Sequence, residues 1–176
     1  MMKYLAPFFG LTLVALIAAA PPSSSTAELN GQTPQPIAHE VPIDTVITLE
    51  RTLCYGMCPS YKLTISADGA VLFEGREFVK KVGSAKSSIS QETLRELIER
   101  FEKINYFHLR NRYEDTRDGC EGAVSDAPSA ITSIRINGKS KGVRHYHGCM
   151  GVEVLAELTK LEEAIDAAAN TAQWIR

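Results

Sequence analysis

The four cysteines are the side chains of this 176-residue chain most able to do chemistry. Cys54 and Cys58 lie four positions apart in "LCYGMCPSY", on either side of a glycine and directly before a proline. Cys120 follows in a long polar stretch, and Cys149 comes directly after "HYHG". Such cysteines can form disulfides, act as a redox dithiol or bind a metal ion, and the surrounding sequence has to decide among these roles.

The amino terminus indicates export. A single positive charge at Lys3 precedes an apolar run over residues 5–20, which is short for a membrane-spanning helix of about 20 residues. A charged start, a short apolar segment and small residues after it are typical of a secretory signal peptide. We expect residues 1–27 to form this signal, with cleavage after Ala27 preferred to cleavage after Ala20; an uncleaved anchor is the alternative. The mature protein is expected in the periplasm or outside the cell, without a membrane span.

Export favours oxidation of the cysteines, and four cysteines allow three pairings. Proximity favours a bridge between Cys54 and Cys58, because Gly56 gives the backbone the freedom to bring the two β-carbons together. The remaining two cysteines would then form a second bridge. That bridge would hold the long polar loop over residues 110–128.

A catalytic dithiol is the first alternative for the Cys54–Cys58 pair. Dithiols of the thioredoxin kind lie between a strand and the start of a helix, where the helix dipole lowers the thiol pKa. Here Pro59 follows, and the strict alternation that begins at Tyr61 predicts a strand and no helix. The sequence therefore argues against a redox dithiol.

Metal binding is the second alternative. Thiolate, thioether and imidazole groups together are what copper(I) prefers. Two histidines lie two positions apart on a predicted strand, so both project to one face and could reach one ion. The candidate copper ligands are Cys54, Met57, Cys58, His145 and His147. This set requires reduced thiols; otherwise we expect His145 to be a hydrogen-bonded histidine at the edge of the core.

The pattern along the chain predicts a linker and one domain. Residues 28–42 are rich in proline and poor in large apolar side chains, which predicts a disordered linker. Residues 43–176 are long enough for a single domain with its own core. Apolar and polar residues alternate on both sides of the Cys54–Cys58 turn, which predicts strands there. The run 77–82 is either a fourth strand or a continuation of the third after a bulge near Gly75.

Two amphipathic helices and a hairpin complete the predicted fold. Ser90 is a suitable N-cap for the first helix, and an apolar stripe beginning at Val154 predicts the second. Between them, Asn137-Gly138 suits the type I′ turn of a hairpin. These elements predict an α+β fold: a mainly antiparallel sheet of about five to six strands with two amphipathic helices packed on one face.

Charge and motifs restrict the possible functions. The net charge is −2 and becomes about −3 once Lys3 is removed with the signal, and there is no block of like charge, so we expect no nucleic-acid partner. The sequence contains no nucleophile elbow, phosphate-binding glycine loop or zinc knuckle. We therefore expect a non-enzymatic binding or envelope-associated module, with an unknown ligand or an envelope protein as partner and without a cofactor.

An enzyme of unknown class remains a further alternative, with a titratable residue near His145 or Asp126 in an enclosed pocket. For either function, the site is expected at one place. It should lie where the 54–58 turn, the 110–128 loop and the end of the last hairpin converge.

The motifs also carry a family resemblance. "CYGMCPSYKLTI", followed later by "SDAP" and "NGKSKGVRHY", resembles a bacterial family known as domain of unknown function 6438. The resemblance extends over about residues 44–168 and implies an exported or lipoprotein context, but it implies no catalytic residue. Cys120 and Cys149 lie outside the family pattern, which suits an additional disulfide. The residues that match the Cys-x-Gly-x-Cys-Pro-x-Tyr motif are Cys54, Gly56, Cys58, Pro59 and Tyr61.

Overall fold

The computed structural model describes Gly10 and residues 40–176. Apart from Gly10, the predicted signal peptide 1–27 and the predicted linker as far as residue 39 lie outside the described residues. The structure divides into two units, and the second, His39–Arg176, contains the fold. Within the described ranges, no helix combines the length and the apolar composition needed to cross a membrane.

The second unit is an α+β fold, as predicted. Its strands in chain order are β1 (Val46–Arg51), β2 (Ser60–Ser66), β3 (Ala70–Glu77), β4 (Gly83–Ser88), β5 (Arg112–Tyr113), β6 (Gly122–Ala123), β7 (Ser129–Ile136), β8 (Lys139–Tyr146) and β9 (Cys149–Met150). Its helices are α1 (Gln91–Lys103), α2 (Val154–Ala168) and the short α3 (Ala172–Ile175), with single 3₁₀ turns at Tyr106–His108 and Thr116–Asp118.

Seven strands form the main sheet, in the order β4-β3-β2-β1-β7-β8-β5. Every neighbouring pair is antiparallel except β5 and β8. β6 and β9 pair separately as a small antiparallel ribbon. The predicted character of the sheet is confirmed, and it has one strand more than the upper end of the predicted range.

Alternation of side chains puts one face of the sheet in the core. The inward residues of β1, β2 and β3 include Ile47, Leu63 and Phe73, each fully buried. Helix α1 packs its apolar stripe here, including Leu94 and Phe101. The α2 stripe lies beside it, so that the two long helices share the core.

The local signals for the helix start and the hairpin turn are also confirmed. The Ser90 hydroxyl accepts a hydrogen bond from the backbone N–H of Thr93 at 3.0 Å, which caps α1. Asn137 and Gly138 both have positive φ angles, of 52° and 71°, as a type I′ turn requires. The Asp44 carboxylate accepts hydrogen bonds from both of their backbone N–H groups.

The fourth strand begins later than the run 77–82, where the first alternative placed it, and the second alternative holds in part, because β3 continues past an irregularity in its pairing at Gly75–Glu77. β3 ends at Glu77, and the chain turns through residues 78–82 before β4 begins at Gly83. Phe78, at φ 54°, and Gly83, at φ 82°, occupy the left-handed region, which ends an extended strand on either side of the turn. β4 itself is short of large side chains and lies at the edge of the sheet.

Candidate functional site

Several loops meet at one end of the main sheet, where β1, β3 and β8 end and β2 and β7 begin. We call this region the loop end; it comprises residues 52–59, 78–82, 120–128 and 147–153. The backbone N–H of Tyr55 donates to the carbonyl of Asp126 at 3.1 Å. The three segments predicted to converge therefore meet here.

Two disulfides hold the loop end. Cys54 bonds to Cys58, with 5.6 Å between their Cα atoms, and Gly56 takes a φ of 148° inside the small ring. Cys120 bonds to Cys149 and ties the polar loop to β9. The pairing is the one favoured from the sequence.

The disulfides correct the copper hypothesis. A sulfur atom in a disulfide is not a thiolate, so Cys54 and Cys58 cannot bind copper(I) in this form. Met57 is 82% exposed and points out of the fold. Of the five proposed ligands, the structure brings together His145 and His147, whose rings stack with centroids 4.4 Å apart.

Those two histidines belong to a buried polar cluster between the sheet and α2. We call it the Glu162 cluster, after the carboxylate at its centre, which is 0% exposed. It combines one guanidinium, two carboxylates, two imidazoles and one phenol. Its members are Arg51, Tyr61, His145, His147, Glu162 and Asp166.

The sheet register explains how residues so distant in sequence meet. Tyr61 lies opposite Arg51, Arg51 opposite Ala130, and Ala130 opposite His145, so the four form one row across β2, β1, β7 and β8. Because Ala130 is small and fully buried, the middle of this row leaves space for side chains from the helix above. α2 fills the space with two carboxylates, Glu162 and Asp166, one turn apart.

The Glu162 carboxylate accepts hydrogen bonds on both oxygens. Oε1 accepts from Nδ1 of His145 at 2.8 Å. Oε2 lies 3.0 Å from Nε2 of His147 and 3.2 Å from Nη1 of Arg51. These donors satisfy a charge that would otherwise be costly to bury.

Asp166 is the second acceptor, one helical turn further on. Its Oδ2 accepts from Nε of Arg51 at 3.1 Å and from Nη2 at 2.9 Å. Its Oδ1 accepts from the Tyr61 hydroxyl at 2.7 Å and from the Thr171 hydroxyl at 3.1 Å. Arg51 is therefore fixed mainly by Asp166, and its remaining Nη1 reaches Glu162.

Burial and the neighbouring groups shift the pKa values of Glu162 and Tyr61. Burial raises the pKa of Glu162, but the hydrogen bonds from His145 and His147 and the nearby charge of Arg51 outweigh this effect and hold the pKa below its usual value. Burial likewise raises the pKa of Tyr61, as does the adjacent Asp166 carboxylate.

Tyr61, His145 and His147 were candidate residues from the sequence, whereas Arg51, Glu162 and Asp166 were not. The signal for the two carboxylates was available: Glu162 lies four residues after the buried Leu158, on the apolar stripe of α2, and Asp166 four residues later. An acidic residue in a core position requires a buried partner. Arg51, at the end of an alternating strand, gives no comparable signal.

The structure also bears on the two locations predicted for an enzyme pocket, near His145 and near Asp126. A cavity of about 410 Å³ lies between α1 and the β7–β8 hairpin, and His145 and Asp126 do not line it. Asp126 is exposed, and its carboxylate accepts a hydrogen bond from the Ser125 hydroxyl.

Comparison with known proteins places the chain in a family. No curated protein matches it. The model of the family described as "Domain of unknown function (DUF6438)" matches residues 45–169. This range includes the whole main sheet, both disulfides and all six members of the Glu162 cluster. The chain therefore belongs to the DUF6438 family.

Proposed function

We propose that this protein is an exported, disulfide-stabilised binding module that docks onto an envelope protein through the apolar side chains of its loop end. The main evidence for this proposal is the location of the exposed apolar side chains. Nine large apolar residues of the described chain are exposed, and seven of them belong to the loop end. These seven are Leu53, Tyr55, Met57, Phe78, Val82, Val124 and Met150.

Exposed apolar surface concentrated in one region is typical of an interaction site. Tyr55 is 89% exposed and Met57 82%, so both are almost fully available to a partner. Tyrosine and methionine are enriched in protein interfaces, tyrosine because its ring combines apolar area with a polar group and methionine because its chain adapts to irregular surfaces.

The apolar side chains are carried on a restrained backbone. The Cys54–Cys58 disulfide closes the turn, and the hydrogen bond from Tyr55 to Asp126 ties it to the polar loop. A restrained surface loses little conformational entropy on binding, which favours affinity. The second disulfide fixes the segment that carries Val124 and Met150 in the same way.

The spread of the surface favours a protein partner over a small molecule. The loops that carry it connect strands from β3 to β8, which are five neighbours in the sheet. At about 4.8 Å between strands, this corresponds to roughly 20 Å. Protein interfaces have such dimensions, whereas small ligands bind in enclosed pockets.

Crosslinking in the native cell tests the proposal. A photoreactive amino acid in place of Tyr55 or Met57 should crosslink to the same envelope protein. The matched control carries it in place of Glu96, which is exposed on α1 away from the loop end. The purified partner should bind the wild-type protein and lose at least tenfold in affinity for the Tyr55→Ala, Met57→Ser variant. Equal crosslinking at position 96, or none at 55 and 57, contradicts the proposal.

Export is tested separately, by the intact mass of the protein recovered from the cell envelope. The expected mass is that of residues 28–176 less four hydrogens, for two disulfides. Recovery of the full-length chain from the cytoplasm with reduced cysteines contradicts this part of the proposal.

A further inference from the structure

The geometry of the Glu162 cluster points to a second site, which includes His147 of the loop end but none of its seven exposed apolar side chains. We propose that His145, His147 and Glu162 bind one divalent transition-metal ion, with Zn²⁺ the best match. The site lies between β8 and α2, and no thiolate takes part in it.

The donor atoms already converge. One ligand atom from each of His145, His147 and Glu162 lies within 4.8 Å of the other two. Zinc binds histidine nitrogen and carboxylate oxygen at about 2.0–2.2 Å, which puts neighbouring donors roughly 3.3 Å apart in a tetrahedron. The observed distances, 2.8 Å from Oε1 of Glu162 to His145 and 3.0 Å from Oε2 of Glu162 to His147, are each a few tenths of an ångström shorter than this spacing.

The type of donor selects the metal. Two imidazoles and one carboxylate are intermediate ligands that suit Zn²⁺, whereas the copper(I) set considered from the sequence depended on thiolates. Two histidines and one glutamate leave a fourth position free, and His147, with a side chain 25% exposed, places that position toward solvent. A water molecule can complete the coordination there.

The ring nitrogens nearest Glu162 are Nδ1 of His145 and Nε2 of His147. A neutral imidazole carries one proton, on either ring nitrogen, and the other nitrogen has a lone pair that can bind a metal ion. The tautomer with the proton on the far nitrogen therefore supplies each ligand atom to the site.

Arg51 serves as the counter-cation in the metal-free protein. Two of its nitrogens are bound to Asp166, and only Nη1 contacts Glu162 and His147, at 3.2 and 3.4 Å. A metal ion can displace Nη1 while the other two bonds hold the guanidinium in place. Because Arg51 neutralises Asp166, the charge of Glu162 is left to attract the incoming cation.

The test is a titration of the metal-free wild-type protein with Zn²⁺ at pH 7.5 by calorimetry, with stoichiometry from native mass spectrometry. We expect one ion per chain with a micromolar or lower dissociation constant. The His147→Ala variant should bind at least tenfold more weakly; its side chain is partly exposed, so the fold should tolerate the change. His108 lies outside the site and supplies the control, so His108→Ala should bind as the wild type does.

Cobalt(II) gives an independent readout. In the wild type its visible absorption should show four- or five-coordinate geometry, and the spectrum should be lost in His147→Ala, while circular dichroism shows that the variant is folded. No saturable wild-type binding below 100 μM Zn²⁺ overturns the proposal. So does one-to-one binding that persists unchanged in both His147→Ala and Glu162→Gln.

Discussion

Nδ1 of His145, on β8, lies 2.8 Å from Oε1 of Glu162, on α2. Both side chains are buried, with 5% and 1% of their surface exposed. Glu162 lies one residue before a solvent-facing glutamate on the same helix, Glu163. The two glutamates share a chemical type and a secondary-structure context but differ in burial. They therefore provide a matched pair for measuring how much the cluster contributes to stability.

Glu162→Ala should lower the free energy of unfolding by about 3–5 kcal/mol, because it leaves Arg51 and two imidazoles without their acceptor. Glu163→Ala should change it by less than about 0.5 kcal/mol. Urea unfolding followed by circular dichroism measures both. Similar losses for the two variants would show that the buried contacts contribute nothing specific.

Arg51→Lys should destabilise the protein by about 1–3 kcal/mol although it keeps the charge. A lysine cannot reproduce the two hydrogen bonds to Asp166 together with the third to Glu162. Arg76→Lys is the control, since its pair with Glu50 is more exposed and should contribute at most about 1 kcal/mol. If both variants have the wild-type midpoint in urea, the geometry of the guanidinium is unimportant.

The two disulfides should contribute different amounts to the free energy of unfolding. Removing Cys120–Cys149 by paired alanine substitution should cost about 3.5 kcal/mol, because that bridge spans 29 positions. Removing Cys54–Cys58, which spans 4, should cost about 2 kcal/mol. Denaturant unfolding of the two double variants gives the ranking. The opposite order would mean that strain or residual structure in the unfolded state dominates over loop entropy.

Because of Tyr106, the protein should become less stable as the pH rises into the alkaline range. Burial raises its pKa, while an unfolded tyrosine titrates near 10, so the unfolded chain releases this proton first. The stabilisation is complete below pH 10 and is lost as the pH rises further. At pH 7, Tyr106→Phe should cost about 1 kcal/mol, since it loses the hydrogen bond to the carbonyl of Thr132.

At pH 9 the wild type should have a higher free energy of unfolding than Tyr106→Phe. This difference should shrink as the pH rises to 11.5 and then change sign. Tyr55→Phe is the control, because that ring is 89% exposed and its substitution should give a difference independent of pH. Thermal unfolding across this pH range, with absorbance at 295 nm to follow tyrosinate, measures both. A constant difference for Tyr106→Phe would contradict the assignment.

Local patterns predicted the elements whose stability depends on their own sequence. The alternation in β1 and β2, the Ser90 cap and the Asn137-Gly138 turn all act over a few residues and are present in the structure. β4 was misplaced because "GSAKSS" has no apolar alternation and is extended only through its pairing with β3. The two-residue strands depend in the same way on distant partners.

The site was predictable only in part for a related reason. Two histidines at alternate positions had to share a face, and the Asn-Gly turn fixed the register that puts His145 opposite Ala130. The contacts of Arg51 with Glu162 and Asp166 join residues 111 and 115 positions apart. No periodicity or turn rule relates positions at that separation, so the cluster emerges only from the complete sheet with α2 above it.

The place of β1 in the sheet has a consequence for how the chain folds. β1 lies between β2, its neighbour in sequence, and β7, to which the Thr48–Ser133 hydrogen bond connects it across 85 residues. A chain that emerges amino terminus first can form the β1–β4 meander early, but one edge of β1 stays open until β7 is available. Pairing over so long a separation slows folding, and an open strand edge invites association with other chains. Closure of the sheet at β1 and β7 should therefore be the late, aggregation-sensitive step of folding.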